Sequence, residues 1–265
     1  STTAKTGLGG ISTSMTLLAA KAAIVFVALK RVASTIAGWI RESNNYQENL
    51  NLFTVAMGKY ANEAKAYAQT VGDAMGLDPS VWMRNEGIFM TLISGFGNTE
   101  AAAYKMSKNL TQLGYDLSSF FNISVADAMQ KLQSGIAGEL EPLRRLGYDL
   151  SQTKLQQIAF NNGINQSVAS MNQAQKSQLR YVAIMTQVTK AQGDMARTLQ
   201  APANQLRILQ AASTQAARAL GNIFIPALNA VLPYAIAFLN IVKTVANSLA
   251  SLFGFRLTSV DYSGI

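Results

Sequence analysis

Between residues 18 and 71 the chain places apolar side chains at alternating steps of four and three. The positions are Leu18, Ala22, Val25, Leu29, Val32, Ile36, Trp39, Ser43, Tyr46, Leu50, Phe53, Met57, Tyr60, Ala64, Tyr67 and Val71, of which only Ser43 is polar. A 3.5-residue period held this long belongs to a helix packed along another helix; a strand would alternate every second residue. Unbroken, the helix would be roughly 80 Å long at about 1.5 Å per residue. Polar residues cluster at 42–45, so one continuous helix and two consecutive amphipathic helices fit equally well. Aromatic residues at the later positions favour packing on a globular layer over a slim dimeric zipper.

Helical punctuation continues downstream. Gly72 and Gly76 weaken the first pattern, and Asp78-Pro79-Ser80 restarts it, with Asp at the cap and Pro at the first helical position. A helix over 81–93 would turn Trp82, Phe89 and Met90 inward, and 94–98 is a turn. The next helix spans 99–113, with room to run on to 121. Ser124-Val125-Ala126-Asp127 resembles a capping box and opens a helix to about 134; Gly135 and Gly138 then release the chain. Glu141-Pro142 starts a short turn ending at Gly147. From 151 a Gln-rich helix or helix pair reaches about 199, with Gly163 as a break.

The chain changes character after Asp194. Residues 195–260 hold no acid and five bases, Arg197, Arg207, Arg218, Lys243 and Arg256, and 219–242 are 24 residues without a charge. That length suffices to cross a bilayer, with Ile223, Phe224, Val231, Ile236 and Phe238 as the candidate membrane segment. Pro226, Pro233 and three asparagines argue against a span. Leu228, Leu232, Ala235, Leu239, Val242, Ala246, Leu249 and Phe253 again step by four and three, so an oligomeric helical core is the preferred reading. The apolar stretch at 19–40 is interrupted by Lys21, Lys30 and Arg31 and fits a packed or interfacial helix.

The inventory of reactive groups is short. Histidine and cysteine are absent, which removes the usual acid–base group, thiol nucleophiles, disulfides and the commonest zinc ligands. The 14 acids are scattered, so neither a metal nor another cofactor is expected. Glu139 and Glu141 lie too close along a loop to straddle a glycosidic bond and read as solvated loop acids or as partners of Arg144 and Arg145. Gly95-Phe96-Gly97 is too short for a phosphate loop. Net charge is +8, but only 14% of residues are charged, far from the dense basic field of a nucleic-acid-binding domain. Arg207 and Arg218 share a helix face, enough for nonspecific DNA contact at most. An enzyme is not expected.

One hexapeptide occurs twice. Leu-Gly-Tyr-Asp-Leu-Ser stands at 113–118 and again at 146–151. The flanks do not repeat, so the reading is a local helix-stop and helix-start signal used twice, Gly ending one helix and Asp or Ser capping the next.

The run from Asp116 through Phe120-Phe121-Asn122-Ile123-Ser124 and Lys131-Leu132-Gln133-Ser134-Gly135-Ile136-Ala137-Gly138-Glu139 to Glu141-Pro142-Leu143-Arg144-Arg145-Leu146-Gly147 resembles the core segment of bacteriophage and prophage tail tape-measure proteins. The likeness covers about 48–199. The signature positions are Gly138, Glu139, Glu141, Pro142, Leu143, Leu146, Gly147, Leu150 and Ser151; Leu140 and Tyr148 depart from the family, where Thr or Ser and Ile are expected. The resemblance implies a helical structural protein in the lumen or tip of a tail tube. In that family the chain sets tail length, then leaves the tube at infection and helps DNA cross the host envelope. Implied partners are further copies of the chain (a trimer or hexamer), tube and tip proteins, assembly chaperones in the host cytoplasm, and the host membrane on ejection.

The expected architecture is all-α, without a sheet: long amphipathic helices with coiled-coil-like seams flanking a compact helical core. Its segments are 1–47, 48–199, an uncharged apolar 200–256 and a tail at 257–265. The opening serine suggests a piece or processed form of a longer chain. The rival class is a membrane-active helical pore former or translocator, which shares the alanine-rich helices but has no reason to carry the 138–151 signature.

Overall fold

The structure is a computed structural model. It describes the backbone of residues 2–252 and the side chains of residues 27, 28, 30–231, 233, 234, 236, 237, 240, 241 and 244. Every regular element among them is helical. The described residues divide into two compact units, one of residues 44–216, the other of those up to 43 and from 217 onward.

Helix α1 (Thr2–Met57) passes the polar cluster at 42–45 without a break and stops at Gly58, where φ is +53°. A short 3-10 turn, Gly58–Tyr60, leads into α2 (Ala61–Met75). The sequence alternatives both missed this. Asn44 and Asn45 are exposed and cost the helix nothing, whereas the left-handed residue at 58 ends it. In the 44–216 unit the seam faces inward as its period requires: Phe53, Met57, Ala64 and Val71 are buried, and Tyr46, Leu50, Tyr60 and Tyr67 are half-buried. Side chains of Leu18, Ala22, Val25 and Leu29, and the 257–265 tail, lie outside the described residues.

Helix α3 (Pro79–Gly95) begins at Asp78, whose Oδ1 accepts from Ser80 N at 3.0 Å. Trp82, Phe89 and Met90 point inward as the pattern requires. Helix α4 (Glu100–Phe120), capped by Thr99, is the centre of this unit and packs against α3 and the next helix, α5 (Val125–Ala137). Its buried hydroxyls turn to nearby backbone carbonyls: Thr111 Oγ1 donates to Ser107 O at 2.8 Å, and Ser118 Oγ to Ile123 O, just past the helix end, at 2.7 Å. Helices α6 (Glu141–Arg144), α7 (Gln152–Asn161), α8 (Gln173–Gln187) and α9 (Asp194–Arg197) close the core, and α10 (Pro202–Leu252) follows. The expected Gln-rich helix or helix pair is thus several pieces; it does break at Gly163, at φ +77°, and again after α8. The reciprocal capping box of Asn172 and Gln175 restarts the chain at α8, and Gly193, at φ +75°, turns it into α9.

The first copy of the hexapeptide is not a stop signal. Residues 113–118 lie wholly inside α4, where a β-carbon on Gly114 would sit 2.3 Å from Met129 Sδ. Gly114 is there for the close approach of α5. Gly135 likewise stays helical, and the chain turns only at Gly138.

A buried carboxylate sits among aromatic rings. Glu86 on α3 is fully buried; its Oε2 accepts from Trp82 Nε1 at 2.9 Å, and its Oε1 has no hydrogen-bond partner. Trp82 stacks on Tyr115 at 5.3 Å and meets the edge of Tyr67 at 5.9 Å. Lys108 Nζ lies 3.5 Å over the Tyr67 ring. Burial pushes the Glu86 carboxyl up to about 7, against the opposing pull of the Trp82 bond and the Lys108 charge. A folded-state value above the unfolded one destabilises at high pH: the cost is absent below about 4.5, grows as pH rises, and is complete above about 7. Glu86→Gln removes the charge. Urea titrations of both proteins should show the variant gaining stability over the parent between pH 5 and 8, by up to about 3 kcal/mol. A pH-independent difference would contradict this.

Candidate functional site

The signature residues fold into one small capping device. Gly138, at φ +109°, ends α5, and the N–H groups of Gly138 and Glu139 both donate to Ser134 O, at 3.0 and 2.9 Å. Pro142 sits in the first turn of α6, and Leu143 drops into the core against Gly135. Glu141 is exposed and pairs with Arg145 at 3.2 Å and more loosely with Arg144, as expected; Glu139 is exposed. Gly147, at φ +89°, turns the chain, and Tyr148 N donates back to Leu143 O at 3.1 Å. Leu146 is half-buried and Leu150 buried. Ser151 Oγ accepts from Lys154 N at 3.3 Å to cap α7, and Asp149 Oδ1 accepts from Ser151 N at 2.8 Å. Those Ser151 bonds hold the exposed Asp149 carboxyl below its ordinary range. The second hexapeptide is therefore the stop-and-start signal that the first is not.

A second polar cluster ties α4, α9 and the start of α10 together, and nothing in the sequence reading anticipated it. Asp116 is buried and accepts from Gly193 N at 2.8 Å and Met195 N at 3.2 Å, capping α9 from another helix. Its carboxyl is raised by burial, against the lowering effect of those bonds. Ser119 Oγ donates to Asp194 Oδ2 at 2.6 Å. Asn204, buried two residues into α10, donates to Ser119 Oγ at 2.9 Å and Thr198 O at 3.0 Å. Arg207 closes the cluster, donating to Ser118 O and Ile123 O, each at 3.1 Å. Its guanidinium is thus committed to the end of α4. Arg197 is engaged with Gln192 O at 2.6 Å and with Asp194. Arg207, read as a DNA contact, is an internal clasp, and so is Arg197.

In the other unit α1 and α10 meet through small residues. Ser43, the one polar seam position, is buried and donates to Asn222 Oδ1. A β-carbon on Gly221 would lie 2.1 Å from Trp39 O, a backbone atom that cannot swing aside. Phe224 is half-buried with its ring 5.7 Å from that of Trp39, so it serves this contact and does not face outward with the candidate membrane residues.

From 226 to 244 every described side chain of α10 is exposed, Asn229 and Asn240 included, and one row along it is apolar. Leu220, Ile223, Ala227, Ala230, Tyr234, Ala237 and Ile241 step by three and four and are all exposed. Ile223 is 68% and Tyr234 78% accessible. This stripe is not the seam read in the sequence: it precedes that seam by one position at 227, 234 and 241 and by two at 230 and 237, which puts it on a different face of the helix. Of that seam Leu228 is exposed, while the side chains of Leu232, Ala235, Leu239, Val242 and Leu249 lie outside the described residues, as does that of Phe238. Val231 and Ile236 are exposed beside the stripe. Counting threes and fours from Leu220 would have found it. Among the described residues no helix is long and apolar enough to cross a membrane, and no group of three or more acids is placed to hold a metal ion.

No protein-family model, curated protein or solved structure matches the chain.

Two outcomes test these sites. Asn204→Ala strips the α10 base of its donor to Ser119 and Thr198 and should cost about 1–3 kcal/mol, with hydrogen exchange accelerating at residues 198–210; unchanged exchange there would count against the clasp. Ile223→Asp with Tyr234→Asp places carboxylates on the stripe. If it is a contact face, self-association measured by sedimentation should weaken by roughly 2 kcal/mol or more, about thirtyfold. Undiminished association would remove the stripe from consideration.

Proposed function

We propose that this chain is a structural component of a phage or phage-like tail, of the tape-measure type, lying in the tube lumen or at the tip. The observation that carries the reading is the exposed apolar stripe of α10, set at coiled-coil spacing within 24 uncharged residues. A helix with such a face gains by packing along like helices, and no charge opposes an in-register pairing of copies. A trimer or hexamer of the chain satisfies it. The 138–151 signature supports the same reading, because each of its glycines, Pro142 and the pinning leucines has a place in one capping device. Helices of 56 and 51 residues supply reach: helical rise turns residue number into length, and 265 residues would span at most about 400 Å if wholly helical. The compact 44–216 unit shortens that, which favours a tip-proximal position.

Its partners would then be tube and distal tail proteins in the particle and chaperones during assembly in the host cytoplasm. Release would expose the uncharged segment to the host membrane, where the chain would assist passage of DNA. With Arg197 and Arg207 occupied, contact with DNA would be weak and nonspecific. No catalytic step is assigned to it.

Mass spectrometry of gradient-purified tail particles from the source host tests the proposal. The chain should be present at a few copies per tail, and particles assembled from an internally lengthened version should have proportionately longer tails or none. Particles that lack the chain altogether would overturn it.

A further inference from the structure

Beside the capping device, the end of α5, the loop after it, α7 and α8 surround a cleft of about 360 Å³. Its floor is apolar, formed by Leu140, Leu150, Leu155 and Val168. One wall carries two cations a helical turn apart on α8, Lys176 and Arg180, and no acid lines the cleft. Both cations are half-buried.

Among the described residues no acid neutralises these charges. Arg180 Nη1 donates to Ile136 O at 3.1 Å and Ala137 O at 3.2 Å, the free carbonyls at the end of α5, and its Nη2 overlies Gly138. Neither it nor Lys176 is in an ion pair among the described residues. Lys176 Nζ makes a single long bond, 3.4 Å, to Ala169 O. Burial lowers the Arg180 guanidinium from its ordinary value with no carboxylate to offset it. Two half-desolvated cations over an apolar floor complement an anion carried on an aliphatic group. The rim adds Gln152 and Gln173, exposed amides that form no side-chain hydrogen bond among the described residues and are suited to peptide N–H and C=O groups.

We propose that this cleft receives the carboxylate end of a partner polypeptide whose last residue is aliphatic, the carboxylate between Lys176 and Arg180 and the side chain on Leu150 and Val168. The glutamine rim favours a peptide over a simple fatty acid, which offers no amide to meet it. The site is independent of the tail assignment and of the α10 stripe: it would hold in any helical protein with this geometry. Within that assignment, it gives the compact unit a means of holding the end of another tail protein while α10 packs with its own copies.

Methyl NMR of leucine and valine in the full chain, titrated with acetyl-Gly-Leu-Ile, tests this directly. The methyls of Leu140, Leu150, Leu155 and Val168 should shift together. The same peptide with a C-terminal amide should bind at least roughly tenfold more weakly, the loss expected for a charge-assisted bond. Lys176→Gln, which disturbs only the long bond to Ala169 O, should weaken the acid by a similar factor and leave the amide unchanged. Arg180→Lys keeps the charge while removing the guanidinium fork and should retain part of the binding. Absence of shifts at saturating peptide, equal binding of acid and amide, or tighter binding of decanoate than of the peptide would each overturn the proposal.

Discussion

The burial of helix α4 is the constraint on which the 44–216 unit depends. Ala103, Ser107, Leu110, Thr111, Leu113 and Leu117 are inaccessible, and Tyr115 and Asp116 are buried on other faces of the same helix. A helix enclosed on most sides cannot follow a simple apolar-stripe pattern. It must satisfy its polar groups locally and offer small residues where neighbours come close. The hydroxyls of Ser107, Thr111 and Ser118 therefore turn back to backbone carbonyls, and Gly114 admits Met129. Asp116, too polar to bury alone, is stabilised by capping α9. That cap fixes α9, and the cluster around Ser119, Asp194 and Asn204 then anchors the first turns of α10.

The same hexapeptide shows what this enclosure does. Leu-Gly-Tyr-Asp-Leu-Ser is helix interior at 113–118 and a turn with a cap at 146–151. Each aspartate caps a helix start, but Asp116 caps a distant one and Asp149 its own neighbour. Each tyrosine meets an aromatic ring, Tyr115 stacking on Trp82 and Tyr148 meeting the edge of Phe121 at 6.2 Å. Side-chain chemistry is conserved between the copies while backbone conformation is not. Local propensity sufficed at 146–151; at 113–118 the neighbours overrode it.

The two units differ in how they use polar residues. The 44–216 unit buries Glu86 and Asp116 and surrounds them with donors or rings. The second unit joins α1 to α10 through Ser43, Asn222 and Gly221 and leaves an uncharged apolar stripe in contact with solvent. A core that carries a buried carboxylate with one unpartnered oxygen responds to pH. A bare apolar face responds to concentration and to partners. Under the proposed structural role, function would reside in the second behaviour.

The sequence alone determined that the protein is helical, because a 3.5-residue period and correctly placed caps are local properties: Asp78, Thr99, Ser124 and Ser151 each bond within three residues. It also determined the 138–151 device, whose glycines, proline and serine act on their own neighbours. Tertiary structure alone decided where α1 ends, that 113–118 continue as helix, that Asn204 and Arg207 clasp α4, and that Lys176 and Arg180 share a cleft with no acid. Those outcomes depend on residues 75 to 89 positions apart, or on helices meeting side by side, and no local pattern encodes such distances.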